Sequence, residues 1–330
     1  MTALAGCGAN GNQACFEPTF APSQDALMVG NGFSGHLAFS THGSPFLATN
    51  GPNDAALAAG GDAMLQAAKD GGVWWINPKS ASVEITKSAT GGLVWGTTVV
   101  VQTGSLPDRP WLVEGPAAVL LTFQNDQGLH ATVSSDGGTT WSSPALFETA
   151  HIHGRGAWCG ARFIVPVLRL GQLALDSSAD GRAWSSLDMS GARGDFFPAL
   201  ACKDEDVAVA WHGADGTLRL SRSKDGGITW GATIDVLPRK HAIESPWLAL
   251  RDHDLWLATF VADNETGPAD LLVVRADGQA HVGTAARGVT TTFYKERAGN
   301  SDFAFFDFAG GVFTAVYADG DGAIKLVSVS

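Results

Sequence analysis

The sequence predicts an all-β fold, a single large domain built from a repeated four-stranded unit, and three observations carry that expectation. The chain has 330 residues of which 41 are glycine, and its apolar residues fall in short β-branched or aromatic runs with no long helical periodicity. The octet Ser223-Lys224-Asp225-Gly226-Gly227-Ile228-Thr229-Trp230 recurs in full as Ser134 to Trp141, one residue shorter as Ser178 to Trp184, and with Thr90 in place of Asp as Ser88 to Trp95. The third position of the octet falls at 90, 136, 180 and 225, steps of 46, 44 and 45 residues. A period of that size is the length of one four-stranded propeller blade.

The octet itself is a tight hairpin with its own anchor. Ser and Asp accept hydrogen bonds from loop amides, Gly supplies the left-handed position, and the indole folds back beneath the turn. Asp136 with Trp141, Asp180 with Trp184 and Asp225 with Trp230 are therefore expected to be structural, with the tryptophans buried. Ser-x-Asp-x-Gly-x-x-Trp resembles the Asp box, or BNR repeat, of sialidase-like β-propellers, and the likeness runs from about residue 88 to residue 230. That resemblance implies hairpins on the blade rim, away from the axis where propellers bind ligands.

Seven segments align as the first strand of a repeat. They begin at Glu17, Asp54, Arg109, Ala157, Phe197, Ser245 and Asp302. The expected architecture is a single β-propeller of seven four-stranded blades over residues 17–330, with six blades as the alternative. The last repeat ends at Ile324 to Ser330 without an octet or a fourth strand. Residues 1–16 are expected to supply that strand, which removes two exposed sheet edges at once. Ala68 to Trp75 fits the octet loosely but lies too close to the Thr90 copy, and is read as a turn between strands.

Composition excludes some partners. With 21 basic against 33 acidic residues the formal charge is -12, so the chain has no cationic cluster with which to displace counterions from a nucleic acid. No apolar run reaches membrane-spanning length. Leu4-Ala5-Gly6-Cys7 resembles a bacterial lipobox, which implies an exported protein anchored by lipid on Cys7. The other reading of this segment is a secreted chain in which Cys7 pairs with Cys15 in an oxidising compartment. A monomer is expected in either case.

Loops that enter first strands open on one mouth of a propeller channel, and chemistry is expected there. Asp108 with Arg109, Arg155, Asp195, Glu244 and Asp302 lie at or near such positions and form the expected ligand-binding set. Each carboxylate has a second reading as a cap for neighbouring loop amides. Four of nine histidines, His151, His153, His212 and His241, share the same predicted mouth. His151, His153 and His212, with Asp195, are a candidate divalent-metal set, since imidazole and carboxylate suit zinc. The alternative is a cluster of solvent-exposed loop histidines. Trp111, Trp158 and Trp247 begin first strands, either as sugar-stacking platforms or as core.

The sialidase resemblance implies an arginine triad, a tyrosine nucleophile backed by glutamate and an aspartic acid/base. This chain departs from each. Phe16-Glu17-Pro18 stands where the family carries its first arginine, and Asn300-Ser301-Asp302-Phe303 where it carries its tyrosine. Arg109, Arg155, Arg193 and Arg297 are left as candidates for anion contacts. The expected function is an exported propeller that binds a carbohydrate or other small polar ligand. The alternative is a glycan-active enzyme, a glycoside hydrolase or polysaccharide lyase with a divalent metal as its candidate cofactor, in which Asp195, Glu244, His153 and Tyr294 would be the catalytic groups.

Overall fold

The computed structural model describes residues 2–3, 18–22, 26–31, 37–41, 47–49, 63–149, 152–191, 197–237, 241–242, 246–251, 254–262, 269–276, 280–289, 304–309, 312–318 and 324–329. Every regular element among them is a strand. The strands are β1 (Thr2–Ala3); β2 (Pro18–Pro22), β3 (Ala26–Asn31), β4 (Leu37–Thr41) and β5 (Leu47–Thr49); β6 (Met64–Ala67), β7 (Val73–Lys79), β8 (Ser82–Ser88) and β9 (Val99–Gln102); and β10 (Asp108–Glu114), β11 (Val119–Asn125), β12 (Gly128–Ser134) and β13 (Ala145–Glu148). They continue with β14 (Ile152–His153), β15 (Ala157–Cys159), β16 (Arg162–Arg169), β17 (Gln172–Ser178) and β18 (Ser185–Gly191); and β19 (Ala199–Lys203), β20 (Asp206–His212), β21 (Leu218–Ser223) and β22 (Ile234–Leu237). The last are β23 (His241–Ala242), β24 (Trp247–Arg251), β25 (Asp254–Ala262), β26 (Ala269–Ala276) and β27 (Ala280–Val289); and β28 (Ala304–Ala309), β29 (Val312–Ala318) and β30 (Ile324–Val329).

These strands form seven antiparallel sheets, five with four strands and two with five. Within each sheet the order follows the chain, except that β1 adds to β30 and so completes the sheet of β28 to β30, through Thr2 opposite Leu326 and Ala3 opposite Lys325. The chain divides into two compact units, one of residues 1–146 with 303–330 and one of residues 147–302. In the first unit β2 lies beside β6 and β28, and β10 beside β6 and β7. In the second, β19 lies beside β15 and β24. First strands therefore neighbour first strands within each unit.

The second strands show why these sheets stack. β7, β11 and β20 are buried along almost their whole length on both faces, which requires an apolar neighbour on each side. In the second unit Ala208 and Ala210 of β20 meet Leu255, Leu257 and Val261 of β25 in one apolar cluster. Small residues on one sheet receive large ones from the next.

The octets connect third to fourth strands, and the structure gives their mechanism. Ser134 Oγ accepts from the Gly138 amide at 2.8 Å, and Asp136 accepts from the Thr140 amide at 2.8 Å and the Thr140 hydroxyl at 2.6 Å. Around Asp225 the corresponding bonds are 2.9, 2.9 and 2.5 Å, to Gly227, Thr229 and the Thr229 hydroxyl. Gly137, Gly138, Gly226 and Gly227 all have positive φ, which side chains resist. In the shorter copy Asp180 accepts from the Arg182 and Ala183 amides. In the Thr90 copy a hydroxyl takes the carboxylate's place and accepts from the Val94 amide at 2.8 Å.

Three sequence expectations change here. Trp141, Trp184 and Trp230 are half-buried and not buried. The indoles of Trp141 and Trp230 donate to Gly138 O and Gly227 O, which ties each ring to its own turn. Truncating one of them removes roughly half of a buried indole's contact, about 2 kcal/mol. Second, the first strand of the β6 to β9 sheet is Met64–Ala67; the segment beginning at Asp54 lies outside the described residues. Third, the segment before β15 and that before β24 each add a short strand, β14 and β23, to the far end of the second strand of their sheet. Those two sheets therefore have five strands where four were expected.

Candidate functional site

Among the described residues, the polar side chains singled out in the sequence fall at the start of β10 in the first unit and around β14, β15 and the end of β20 in the second. In the first unit Asp108 and Arg109 open β10. Asp108 lies opposite Gln124 and Trp111 opposite Thr122, so the register slips by one residue between them. That slip is a β-bulge, and it accommodates Pro110, which has no amide to give the ladder. Arg109 sits in the bulge with φ of 49°, a left-handed conformation that brings Cβ against the following carbonyl oxygen and costs roughly 1–2 kcal/mol. Its side chain is 12% exposed, with Nε 3.8 Å from Asp108 Oδ2, while the Asp108 side chain is 43% exposed. The Gln124 amide donates to the same Asp108 oxygen at 2.6 Å. The result is a continuous polar run from Arg109 through Asp108 to Gln124.

In the second unit, His153 and Arg155 flank Gly154. The Gly154 amide donates to Pro166 O at 2.9 Å, and a Cβ on Gly154 would stand 1.8 Å from Pro198 O. Only glycine lets this turn approach the neighbouring sheet so closely. His153 is 0% exposed and Arg155 half-buried. His212 ends β20, is 2% exposed, and places Nε2 3.4 Å from the Thr259 hydroxyl on β25. These two histidines are interior side chains, where the alternative reading had expected solvent-exposed loops. The reason is local. β14 pairs His153 with Val167, and β20 continues to His212 opposite Leu218, so both lie in ladders and not in loops.

His151, Asp195, Glu244, Tyr294 and Asp302 lie outside the described residues, as do Cys7, Cys15, Arg193 and Arg297. Among the described residues no group of three His, Cys, Asp or Glu side chains is placed to hold a metal ion. Trp111 is buried, and Trp158 packs edge-on against Phe163 at 4.7 Å between ring centroids. Trp111 belongs to the interior, and Trp158 is half-buried.

The structure also pairs residues that the sequence left apart. Cys159 on β15 and Cys202 on β19 are joined as a disulfide with a Cα separation of 5.8 Å, across 43 residues of chain. A near match to the repeat period was the available signal. Gln124 was likewise missed, because a strand interior gives no sequence mark of which polar residue stands opposite the start of a neighbouring first strand.

Electrostatics distinguish this end from the octets. Asp136 and Asp225 are held down to about 2 by the hydroxyl and amide of Thr140 and of Thr229 respectively. These carboxylates are spent on their own turns. They are structural acceptors.

No family model matches the sequence, and no curated protein matches it. Solved structures do. A streptogramin B lyase superposes with a TM-score of 0.62 at 12% identity, covering 97% of this chain and 95% of that one. A catalytically inactive variant of virginiamycin B lyase from Staphylococcus aureus, with quinupristin, gives 0.60 at 12% identity over 97% of both chains. A triple mutant of AofleA from Arthrobotrys oligospora gives 0.55 at 11% identity, over 82% of this chain and 87% of that one. At such identities the likeness is one of fold: these neighbours are β-propeller proteins, and the all-β chain of stacked antiparallel sheets resembles them in fold.

Proposed function

We propose that the seven sheets are the blades of one propeller and that the protein is an exported module binding a carbohydrate or other small polar ligand at the end where first strands begin. The observation that carries the reading is the bulge at Arg109. A long cationic side chain is kept in a left-handed conformation at a strand's leading end, next to a partly exposed carboxylate. Bulges re-aim side chains beside binding sites, and backbone strain of this kind persists at ligand clamps. Asp108, Arg109 and Arg155 are the described members of the proposed set, and Asp195, Glu244 and Asp302 complete it.

Binding is favoured over turnover because His153 and His212, the described candidates for a base, are interior groups. A general base must come within hydrogen-bond reach of a substrate proton. The Cys159–Cys202 disulfide supports export, since such bonds persist in oxidising compartments.

A panel of glycans and polysaccharides, scored for both binding and product release with and without chelator, tests this function. Saturable binding without products is the expected result. Product release that disappears in His153→Ala or Asp195→Ala would replace the binding module with an enzyme.

A further inference from the structure

The Cys159–Cys202 bond joins two sheets of the second unit, and its two ends meet different surroundings. Cys159, at the end of β15, is 0% exposed and sits in an apolar cluster with Ile164, Leu173, Leu175, Val207 and Trp211. Cys202, on β19, packs only against the edge of that cluster; it is half-buried, and Lys203, Asp204 and Glu205 after it are exposed. Thiols and disulfides in solution therefore reach Cys202 and not Cys159.

Three turns meet beside the bond. The Gly160 amide donates to Asp204 O at 2.8 Å and the Gly226 amide to Glu205 O at 2.9 Å, so the β15–β16 turn and the octet of Asp225 are both fastened to the β19–β20 turn. In the first unit the comparable contact between first strands uses no sulfur. There the side-chain amide of Gln66 on β6 bonds both backbone groups of Leu112 on β10.

We propose that Cys159 and Cys202 are a thiol–disulfide latch with a fixed division of labour, in which Cys202 exchanges with outside thiols and disulfides and Cys159 resolves the bond from within. Closing takes two exchanges with a small disulfide. The Cys202 thiolate attacks one sulfur of the oxidant and releases the other as a thiolate; Cys159, deprotonated, then attacks Cys202 Sγ and releases the second half. The protein loses two electrons and two protons, and the oxidant becomes two thiols. Opening is the reverse, with attack on Cys202 Sγ and Cys159 as the leaving group. A thiolate expelled into apolar surroundings is poorly solvated, which raises its pKa and makes it leave slowly. The Cα separation of 5.8 Å then keeps Cys159 beside the mixed disulfide, where it displaces a monothiol before a second one arrives. A dithiol carries its own resolving group and opens the latch. In an oxidising compartment the bond thus closes and stays closed against monothiols.

The test follows the full chain by mass spectrometry, with peptide mapping to read Cys159 and Cys202 alone, and by amide hydrogen exchange. Reduced wild type, Cys159→Ala and Cys202→Ala are incubated folded with oxidised glutathione. Cys159→Ala is expected to keep glutathione on Cys202, Cys202→Ala to stay unmodified at Cys159 until urea unfolds it, and wild type to regain the bond. Equal modification at the two cysteines in the folded variants would overturn the division of labour. Reduced glutathione is expected to open the native wild-type bond at least about tenfold more slowly than dithiothreitol at equal thiol concentration; equal rates would overturn the resolving role. This wild-type arm decides the matter if a variant does not fold. On reduction the Gly160 and Gly226 amides are expected to exchange about ten- to a thousandfold faster, because the closure across 43 residues is gone, while the Leu112 amide held by Gln66 keeps its rate. Unchanged exchange at Gly160 and Gly226 would show that the bond latches nothing, and equal acceleration at Leu112 would replace a latch on the second unit with a general loosening.

Discussion

Changing Gly138 to alanine tests how the octet turns lock one sheet onto the next. Gly138 has φ of 94°, and a Cβ there would stand 2.7 Å from Trp74 Cη2 and 3.1 Å from Cζ3. Carbon atoms rest at about 3.5–4.0 Å, so the overlap is close to 1 Å. The indole has no easy retreat: it is 2% exposed, its Nε1 donates to Glu114 Oε1 at 2.7 Å, and Lys87 Nζ lies 4.7 Å from the ring centroid. Left-handed strain of about 1–2 kcal/mol and overpacking of about 1–3 kcal/mol give an expected loss of roughly 2–5 kcal/mol. Gly137 supplies the control. Its φ is 72°, and a Cβ there meets nothing within 4 Å, so Gly137→Ala carries only the strain. Urea denaturation followed by tryptophan fluorescence should place the midpoint of Gly138→Ala below that of Gly137→Ala at an unchanged slope. Trp74→Phe removes the ring atoms that the new methyl would strike. In a double-mutant cycle it should recover about 1–3 kcal/mol of the Gly138→Ala loss, as a coupling energy. Equal losses at the two glycines, or additivity with Trp74→Phe, would refute the idea that this turn is a spacer fitted to the neighbouring sheet.

Two further predictions concern charge. Asp136 and Asp225 have folded-state pKa values lowered to about 2 from 3.8 by bonds from Thr140 and Thr229; their contribution is thus fully present above about pH 4 and lost as pH falls through 2. The stability gap between wild type and the Asp136→Asn, Asp225→Asn double variant should therefore narrow over that window in acid titrations, and a constant gap would count against the turn bonds. Arg169 pairs with Glu148 and Asp188, and with Asp176 at 2.6 Å, in the second unit, where Asp176 is 2% exposed and burial pushes its carboxyl up. Arg169→Ala leaves that buried carboxylate without its cation, for an expected loss of about 3 kcal/mol near neutral pH. Because the folded-state pKa of Asp176 is already raised, the loss should shrink as pH falls and the carboxyl protonates; a loss independent of pH would show that side-chain contact, and not charge, was removed.

The sequence by itself determined the all-β class, the repeat and the turn chemistry. An octet of fixed spacing states its own local geometry: Ser134, Asp136 and Gly138 bond within a few residues of each other, and nothing distant is needed to read them. Short, nearly unbroken apolar runs likewise mark β11, β20, β25 and β29, because a strand covered on both faces carries apolar residues on both. The tertiary structure decided what depends on a neighbouring sheet. It set Met64–Ala67 as a first strand, left the octet indoles half open, drew His153 and His212 into ladders and brought Cys159 to Cys202. The polar run of Arg109, Asp108 and Gln124 is the clearest case. Its members come from two strands whose register slips at a bulge, and a one-residue slip reverses which side chains share a face. Local sequence fixes which residues can form a strand, but only cross-strand register fixes which of them meet.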